Sequence, residues 1–384
     1  MSPRVVIVGG GIVGTATAWQ LAAMGHAAAV TVVERDLSLH AASTGRSTAG
    51  IRQQFSTPCN IRFSRYGLAF LQRLGLEASG FRENGYLVLA GDRASAERMR
   101  RAHTLQMAEG ADVVLLEPEA LASAFPHLTT GDLTLASFGR SGEGWFDPLA
   151  VQARLKAEAI AAGVVWQAAH AQGYVRKGDR VTGVRLADGT VLPADFVVNA
   201  CGARGAAMAA TADVSIPVEP RKRTAFAFTC QNPPERRESL PLMIDSSLIW
   251  CRPEGPGFIA GRHPEPDPAV DPDDLEPRSL EFEEVIWPLL AERAPCFEAI
   301  RMTGLWAGHY AWCTHDQNAI IGPAPGCANL ILANGFSGHG VQHGPATGIA
   351  VAEFIVKGAS VTLDASEFSP ERLAVPVSAE THVW

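Results

Sequence analysis

A strand, a glycine turn and a helix follow one another at the start of the chain. Val5–Val8 is an apolar, β-branched run, typical of a strand buried on both faces of a parallel sheet. Gly9, Gly11 and Gly14 follow in the spacing G-x-G-x-x-G, and a helix is predicted from about residue 12 to residue 24. These glycines permit a tight turn, a close approach of backbone to a pyrophosphate, and close packing of helix on sheet. The pattern therefore predicts a nucleotide phosphate at the positive end of the helix.

A second strand and an acidic residue complete this pattern. Val30–Val33 is again apolar, and Glu34 follows it, 20 residues after Gly14. A carboxylate at that position can accept hydrogen bonds from a ribose diol. A glycine triplet alone could be a structural turn. Strand, helix and acid together predict a Rossmann-like unit that binds a dinucleotide with a free ribose diol.

Composition narrows the class of protein. The chain has 384 residues, long enough for two domains, with 47% apolar and 19% charged residues, as in soluble globular proteins. A net charge of -8 argues against a nucleic-acid partner. The seven cysteines include no C-x-x-C pair, so neither a disulfide framework nor a metal site is expected. No apolar run reaches the roughly 18 residues of a membrane span, and the early first strand leaves no room for a leader, so a cytoplasmic protein is expected.

The order of helix and strand patterns predicts two interleaved domains. Residues 1–80, 148–215 and 305–384 are predicted to form the nucleotide-binding domain. Residues 81–147 and 216–304 are predicted to form a second domain that covers the first and binds the substrate. Antiparallel strands are expected from residue 216 to about residue 260 because apolar and polar residues alternate there.

Local signals place several elements within these segments. A strand is predicted over residues 85–90 and a short helix within residues 114–128. Asp147 followed by Pro148 predicts the start of another helix, with Asp147 as its N-cap. A last helix is expected from Val341 to Lys357, directly after a glycine-rich loop.

Five motifs resemble one known family. They are the opening VVIVGGGIVG with Glu34, STGRS at 43–47, DFVVNACGA at 195–203, DQNAIIG at 316–322 and NGFSGHG at 334–340. In this order they resemble the FAD-dependent amine oxidoreductases, which include D-amino acid oxidase, glycine oxidase, sarcosine oxidase and dimethylglycine dehydrogenase. IRQQFS at 51–56 and the run at 306–322 are similar to a branch with a mitochondrial FAD-dependent oxidoreductase-domain protein linked to assembly of respiratory complex I.

The resemblance implies an α/β fold with a Rossmann-like, glutathione-reductase-like FAD-binding domain and a discontinuous α+β cap domain on an antiparallel sheet. FAD is implied as the cofactor. The residues that the resemblance places along FAD are Gly9, Gly11, Ile12, Val13, Gly14, Glu34, Arg35, Ser43, Thr44, Arg46, Ser47, Ala171, Ala200, Cys201, Gly202, Gly335, Phe336, Ser337, Gly338, His339, Gly340, Val341 and Gln342. His339 could equally be a packed loop histidine. The cysteine that tethers flavin in sarcosine oxidases is replaced near His309, and Cys313 is out of register, so non-covalent FAD is expected; a histidine tether stays open.

The family oxidises an amine by transferring the equivalent of a hydride from the α-carbon to flavin N5, after which the imine hydrolyses. This chemistry needs a clamp for the substrate carboxylate, and the planar fork of arginine suits that task. The candidate substrate residues are Arg52, Arg262, His263, Tyr310 and Gln342, with Arg221 and Arg223 as further candidates. Gln342 stands where sarcosine oxidases have a lysine for the substrate carboxylate. Arg52 could instead be an exposed loop arginine, and Arg262 and His263 could belong to a polar domain rim.

A second lysine of the sarcosine oxidases, which promotes reaction with oxygen, is matched here by Ile259. Either oxygen or another electron acceptor is therefore expected. The predicted reaction is FAD-dependent oxidation of a secondary or N-substituted amino acid, such as sarcosine, an N-alkyl glycine or iminodiacetate. The alternatives are a D-amino acid, opine or proline dehydrogenase of the same fold, and a flavin-containing assembly protein with little turnover. An NAD(P)-dependent dehydrogenase would explain only the glycine motif.

Overall fold

The computed structural model describes residues 2–383. In chain order its strands are β1 (Val5–Val8), β2 (Val30–Glu34), β3 (Gly50–Ile51), β4 (Tyr86–Ala90), β5 (Val113–Leu116), β6 (Leu135–Gly139), β7 (Gly144–Trp145), β8 (Val165–Ala168), β9 (Ala171–Lys177), β10 (Arg180–Leu186), β11 (Val191–Pro193), β12 (Phe196–Asn199), β13 (Val218–Cys230), β14 (Leu242–Ile244), β15 (Ile249–Glu254), β16 (Gly257–Arg262), β17 (Ile300–Cys313), β18 (Ile320–Ala324) and β19 (Cys327–Asn334). The helices are α1 (Ile12–Ala23), α2 (Pro58–Leu74), α3 (Leu76–Ser79), α4 (Arg93–Ala108), α5 (Pro118–Ala124), α6 (Pro148–Ala161), α7 (Gly205–Ala210), α8 (Trp287–Arg293) and α9 (Gly340–Lys357).

The opening strand β1 lies inside a six-stranded sheet with the order β18-β19-β12-β1-β2-β8. It pairs in parallel with β2 on one side and β12 on the other. Both faces of β1 are buried: Val5 and Ile7 pack under α1, α2, α6 and α9, while Val6 and Val8 face the core beneath the three-stranded sheet β11-β10-β9. Burial on two sides explains why the strand is apolar at every position.

Gly14 sets how closely α1 approaches this sheet. A Cβ atom added to Gly14 would lie 1.9 Å from the carbonyl oxygen of Gly9, so only glycine permits this contact. Helix α6 begins as predicted, because Oδ1 of Asp147 accepts hydrogen bonds from the backbone N–H groups of Leu149 (3.0 Å) and Ala150 (2.9 Å).

A second sheet has eight strands in the order β17-β13-β16-β15-β14-β4-β6-β5. Its pairings are antiparallel except for β14 and β4, which run parallel. One face is covered by a π-helical turn, Phe282–Ile286, and α8, which pack on an aromatic core around Phe226, Phe228 and Phe258. The other face turns toward the six-stranded sheet and α9.

The mixed α/β fold with a Rossmann-like sheet and a largely antiparallel second sheet is confirmed. The short helix predicted within residues 114–128 is present as α5, but the first residues of that segment belong to β5, a strand that was not predicted. The strand β17 crosses the predicted domain boundary between residues 304 and 305, because its whole length pairs with β13. The division into two domains stays a prediction. Among residues 2–383, no helix is both long and apolar enough to span a bilayer.

Candidate active site

A cavity of about 510 Å³ runs between the six-stranded and the eight-stranded sheet. Glu34 lies at one end and Tyr310 and Arg223 line the other. Two helix N-termini, those of α1 and α9, contribute to its wall. The N-cap residues of the two helices, Gly11 and His339, make no side-chain cap, so the positive ends of both helix dipoles act on whatever fills the cavity.

The turn before α1 leaves room for a ligand because it has no side chains. Gly9 has φ +108°, and a Cβ added there would lie 2.2 Å from the carbonyl oxygen of Ala200. A Cβ on Gly11 would lie 3.0 Å from Oγ1 of Thr44. That same oxygen accepts a hydrogen bond from the backbone N–H of Ile12 at 3.1 Å. The arrangement forms a backbone cradle of the kind that binds a pyrophosphate.

The carboxylate of Glu34 is held in place by backbone donors. Oε2 accepts a hydrogen bond from the N–H of Gly10 at 2.7 Å, and Oε1 accepts one from the N–H of Asp36 at 2.9 Å. Each oxygen keeps acceptor capacity because a carboxylate oxygen has two lone pairs. Glu34 lines the cavity at the end of β2, where a ribose diol is expected.

The segment 43–47 is fastened to β17 along the cavity. The Ser43 hydroxyl donates to the carbonyl of His309 at 2.8 Å, and Nη1 of Arg46 donates to the carbonyl of Ala307 at 3.0 Å. In return, the indole N–H of Trp306 donates to the carbonyl of Arg46 at 3.0 Å. The serine- and arginine-rich loop is therefore a fixed wall of the cavity rather than a solvated surface loop.

The glycine-rich loop before α9 packs against Tyr310. A Cβ added to Gly338, which has φ +97°, would lie 2.6 Å from that ring. Ser337 faces away from the cavity, because its hydroxyl accepts a hydrogen bond from the N–H of Cys313 at 3.0 Å. The loop thus brings the start of α9, from His339 to Val341, to the cavity wall.

Most residues predicted to lie along FAD line the cavity. They are Gly9, Gly11, Ile12, Val13, Glu34, Arg35, Ser43, Thr44, Arg46, Ser47, Ala171, Ala200, Cys201, Gly202, Phe336, Gly338, His339, Gly340, Val341 and Gln342. Three predicted residues do not reach it. Gly14 packs α1 onto the Gly9 carbonyl, Gly335 faces Val218 and Cys313, and Ser337 is turned toward the backbone of Cys313. These three residues pack behind the cavity wall and help to position it.

Arg52 is buried, with 4% of its surface exposed, and it lines the cavity. Nη1 donates to the carbonyl of Gln54 at 2.5 Å, and Nη2 donates to the carbonyl of His382. Nη2 also lies 3.3 Å from Nε2 of His339, and the guanidinium stacks 3.9 Å from the centre of the Phe55 ring. Burial lowers the pKa of Arg52, yet the group stays a cation at neutral pH. The interpretation of Arg52 as an exposed loop residue is therefore wrong.

Burial, reinforced by the charge on Arg52, lowers the pKa of His339 well below its ordinary value. The imidazole is neutral at pH 7, and it stands at the first turn of α9. Gln342 lies one turn further on. Its Oε1 accepts hydrogen bonds from the backbone N–H of Arg52 at 2.8 Å and from the Ser64 hydroxyl at 2.9 Å. In this arrangement the oxygen of Gln342 fixes the backbone of Arg52.

A second arginine, Arg223, lies on the opposite part of the wall. It forms a bidentate ion pair with Asp267, with Nη1–Oδ1 at 2.7 Å and Nη2–Oδ2 at 2.8 Å. Its guanidinium lies 4.8 Å from the centre of the Tyr310 ring. Burial raises the pKa of Tyr310, while Arg223 and Arg52 act against that shift, so the phenol is protonated at neutral pH. Both arginines thus lie within electrostatic reach of Tyr310.

Apolar side chains from the eight-stranded sheet close the cavity between these polar groups. They are Tyr86 on β4, Leu242 and Ile244 on β14, and Trp250 on β15. Sequence reasoning did not single out any of them. Their common signal is a position on neighbouring strands facing the same side, which becomes visible only when β4 and β14 are known to pair.

Two substrate-residue predictions need correction. Arg262 does not reach the cavity: with Phe258 and Ala260 it points to the opposite face of the sheet, toward the core under α8 and near Glu281. His263 stands one layer behind the wall, with Nδ1 3.4 Å from Nη2 of Arg223 and its ring 5.7 Å from that of Trp312.

Ile259 is buried on β16 and pairs with Arg252 across the β15–β16 ladder. Arg252 is itself buried: Nη2 donates to the carbonyl of Thr48 at 3.0 Å, and its guanidinium lies 4.8 Å from the centre of the Trp145 ring. A cation therefore stands beside Ile259, behind the segment of the cavity wall that contains Thr48.

His309 and Cys313 bear on whether flavin is tethered. His309 lines the cavity, but its Nε2 donates to the carbonyl of Asp274 at 2.8 Å. Cys313 does not line the cavity; its thiol lies 3.4 Å from Oδ1 of Asp316, and burial raises its pKa to about 11. The Cys313 thiol therefore stays protonated at neutral pH, whereas His309 keeps a lone pair on Nδ1, so non-covalent attachment of FAD stays a prediction. Within residues 2–383 no group of histidine, cysteine and carboxylate side chains is arranged to hold a metal ion.

The fold and the lining of the cavity define a protein that holds an extended dinucleotide next to a second, largely apolar compartment. The sequence signature of the family described as FAD dependent oxidoreductase matches residues 4–354. The chain is 38% identical over 411 aligned positions to FAD-dependent oxidoreductase domain-containing protein 1 of Xenopus laevis, covering 96% of this chain and 82% of that protein. This chain belongs to the FAD-dependent oxidoreductase family, so it is an oxidoreductase with FAD as its cofactor.

Solved structures share the whole architecture. L-Proline dehydrogenase from P. horikoshii superposes with a TM-score of 0.84 at 28% sequence identity, over 97% of this chain and 98% of the other. Glycine oxidase from Geobacillus kaustophilus superposes with a TM-score of 0.80 over 96% and 98% of the two chains; at 21% identity this likeness concerns the fold alone.

Proposed function

We propose that this chain oxidises the carbon–nitrogen bond of a secondary or N-substituted amino acid. The observation that carries the proposal is Arg52, a buried guanidinium on the cavity wall next to the first turn of α9 and within reach of Tyr310. An arginine in such a place suits a carboxylate, which matches its planar donors. L-Proline dehydrogenase, to whose structure the chain is similar at 28% identity, acts by name on an amino acid.

FAD supplies the acceptor for the equivalent of a hydride from the substrate α-carbon. The protein has to orient the substrate, and Arg52 would bind its carboxylate while Tyr310 offers a phenol O–H as a second donor. The N-terminus of α9 would stabilise negative charge that develops on the neighbouring cofactor edge, through its dipole and free N–H groups. Hydrolysis of the imine product would follow after its release.

The substrate amine has to lose its proton before oxidation. The residues around Arg52 favour loss of the amine proton, because the positive charge of Arg52 disfavours a second cation and His339 is neutral. The apolar wall of Tyr86, Ile244 and Trp250 adds a desolvation penalty for an ammonium group. The cavity therefore favours the free amine as the reacting form.

Anaerobic reduction of the bound flavin tests this proposal. Purified protein should lose its visible flavin absorbance when mixed with one or more members of a panel of sarcosine, N-alkyl glycines, iminodiacetate, proline, D-amino acids and opines. A panel in which no amine reduces the flavin would overturn the proposal. Readmitting air then distinguishes oxygen from another acceptor, since only an oxidase reoxidises rapidly. Acid precipitation should leave the flavin in the supernatant, as expected for a non-covalent cofactor.

A further inference from the structure

Two arginines line the substrate end of the cavity, and their presence alone would favour a dicarboxylate. Arg52 and Arg223 both line the wall, and both act on the phenol of Tyr310. A pair of fixed cations around one compartment attracts two negative charges. Whether Arg223 acts as a free cation decides which substrates the compartment accepts.

Arg223 is already paired within the protein. Both terminal nitrogens donate to Asp267, at 2.7 and 2.8 Å, and the two side chains are only 11% and 12% exposed. A bidentate pair with so little solvent access is a strong charge-assisted contact. The charge of Arg223 is therefore balanced before any substrate arrives.

The neighbours of this pair do not restore a positive charge at the wall. His263 lies beside Arg223, and burial, reinforced by Arg223, lowers its pKa, so the ring is neutral at pH 7. Lys222 donates to Asp274 at 2.7 Å, and Arg221 forms an ion pair with Glu219. Each cation on this part of β13 thus has a carboxylate of its own.

The rest of the compartment is apolar. Leu242 and Ile244 are buried on β14, and Trp250 lies on the adjacent strand β15. A carboxylate placed against this wall would lose its hydration without gaining a partner, which disfavours binding. An alkyl group or a ring placed there would gain from leaving water.

We propose that the compartment takes an amino acid with a single carboxylate and an apolar N-substituent or ring, and that Asp267 sets this preference by neutralising Arg223. Arg52 holds the one carboxylate, and the wall of Leu242, Ile244 and Trp250 receives the apolar part. Asp267 is a positioning residue, since it acts through Arg223. The inference rests on the proposed function for the identity of the substrate, but binding of inert carboxylates tests it separately.

Butyrate and succinate are the probes, because they share a four-carbon chain and differ by one carboxylate. Neither requires turnover, so shifts in the visible flavin spectrum report binding even if no amine reduces the flavin. The wild-type protein should bind butyrate more tightly than succinate, by a factor of about 10 or more. Binding of succinate as tight as that of butyrate would overturn the proposal. If selectivity appears as expected but no amine reduces the flavin, only the proposed function fails.

Substitution Asp267→Asn tests the role of the pair. The variant keeps the shape of the side chain but leaves Arg223 with an unbalanced charge, so the butyrate-to-succinate preference should fall by about 10-fold. The exposed Asp179→Asn change is the control and should leave the ratio as in the wild type. An unchanged ratio in a flavin-loaded Asp267→Asn protein would refute the assignment.

A second variant keeps the test decisive if Asp267→Asn does not fold. The double substitution of Arg223→Met with Asp267→Asn removes both charges of the pair and, if the pair is already balanced, should not weaken succinate binding selectively. A selective loss of succinate binding of about 10-fold or more in this double variant would show that Arg223 binds a second carboxylate. That result would overturn the proposal.

Discussion

The carboxylate of Glu380 accepts a hydrogen bond from the backbone N–H of Ser56 at 2.9 Å, although 324 positions separate the two residues. It also accepts from the N–H of Thr57 at 2.9 Å and from Nδ2 of Asn60 at 3.0 Å. A buried carboxylate thereby holds the two residues that precede α2 and one side chain of its first turn, where the N-cap residue Thr57 makes no side-chain cap. Two residues further on, the carbonyl of His382 accepts from Arg52. The segment 380–382 therefore supports the chain that carries Arg52.

Replacing Glu380 by Ala should destabilise the protein and disturb Arg52. The change leaves the donors of Ser56, Thr57 and Asn60 without their buried acceptor, at a cost of about 2 kcal/mol. Thermal unfolding should show a lower Tm, and the KM for any amino acid that reduces the flavin should rise more than kcat falls. The exposed Glu371→Ala is the control. An unaltered KM would mean that Glu380 acts on stability alone.

Replacing Arg52 by Lys should reduce substrate binding while FAD stays bound. Lysine keeps the charge but cannot donate to the carbonyls of Gln54 and His382 and still match a carboxylate with two parallel N–H groups. The kcat/KM for flavin reduction should fall about 100-fold, a loss of roughly 2.7 kcal/mol. Stopped-flow reduction measures it, with the exposed Arg101→Lys as control. A wild-type rate would exclude Arg52 as the carboxylate ligand.

Replacing Gly9 by Ala should abolish FAD binding. The added Cβ would lie 2.2 Å from the carbonyl oxygen of Ala200, and the backbone at Gly9 has φ +108°, which a residue with a side chain rarely adopts. The turn has to move, and the cradle is lost with it. The ratio of visible to ultraviolet absorbance of the purified protein reports the flavin content. Gly131→Ala, where a Cβ would meet no atom within 4 Å, should retain its flavin.

The buried histidine His343 should make stability depend on pH. Its ring lies among those of Phe55, Phe63 and Phe368, and burial, reinforced by Arg52, lowers its pKa to about 3. The unfolded chain binds a proton near pH 6.5 and the folded chain does not, so stability is present above pH 6.5 and is lost as pH falls toward 3. The loss is at most about 1.4 kcal/mol per pH unit for one such group.

The substitution His343→Phe tests whether His343 causes this dependence of stability on pH. The variant should show a smaller fall in Tm between pH 7.5 and pH 5 than the wild type. Part of the fall should remain, because His339 has its pKa lowered for the same reason. An identical fall in both proteins would assign the acid sensitivity to other groups.

Local patterns were sufficient for the nucleotide-binding sheet. Neighbouring residues were enough to predict three features: the apolar strands β1 and β2, the glycine turn between β1 and α1, and the Asp147 cap. All three are present in the structure. The eight-stranded sheet was harder because its pairing is not local: β14 lies parallel to β4. The short strand β7 gave no signal, since its two residues pair with β3 through contacts far along the chain.

Local sequence patterns were also insufficient to predict where single side chains lie at the substrate end of the cavity. In GFIAGR the strand has no alternation of polar and apolar residues, so the sequence could not show that Arg262 points away from the cavity. Glu380 escaped notice because the segment around it has neither helical nor strand periodicity. Its partners at Ser56 and Asn60 become visible only in three dimensions.

The strand β17 contacts both the substrate end of the cavity and the loop that precedes α9 at the cofactor end. It pairs with β13 of the substrate wall along its length, and Trp312 near its end forms a bridge with Phe336 in the loop before α9. Occupancy at the two ends is therefore expected to be thermodynamically linked. Whatever factor FAD adds to the affinity for a carboxylate, that carboxylate must add to the affinity for FAD. Equilibrium dialysis of flavin with and without butyrate would measure this coupling, and saturating substrate should slow cofactor loss.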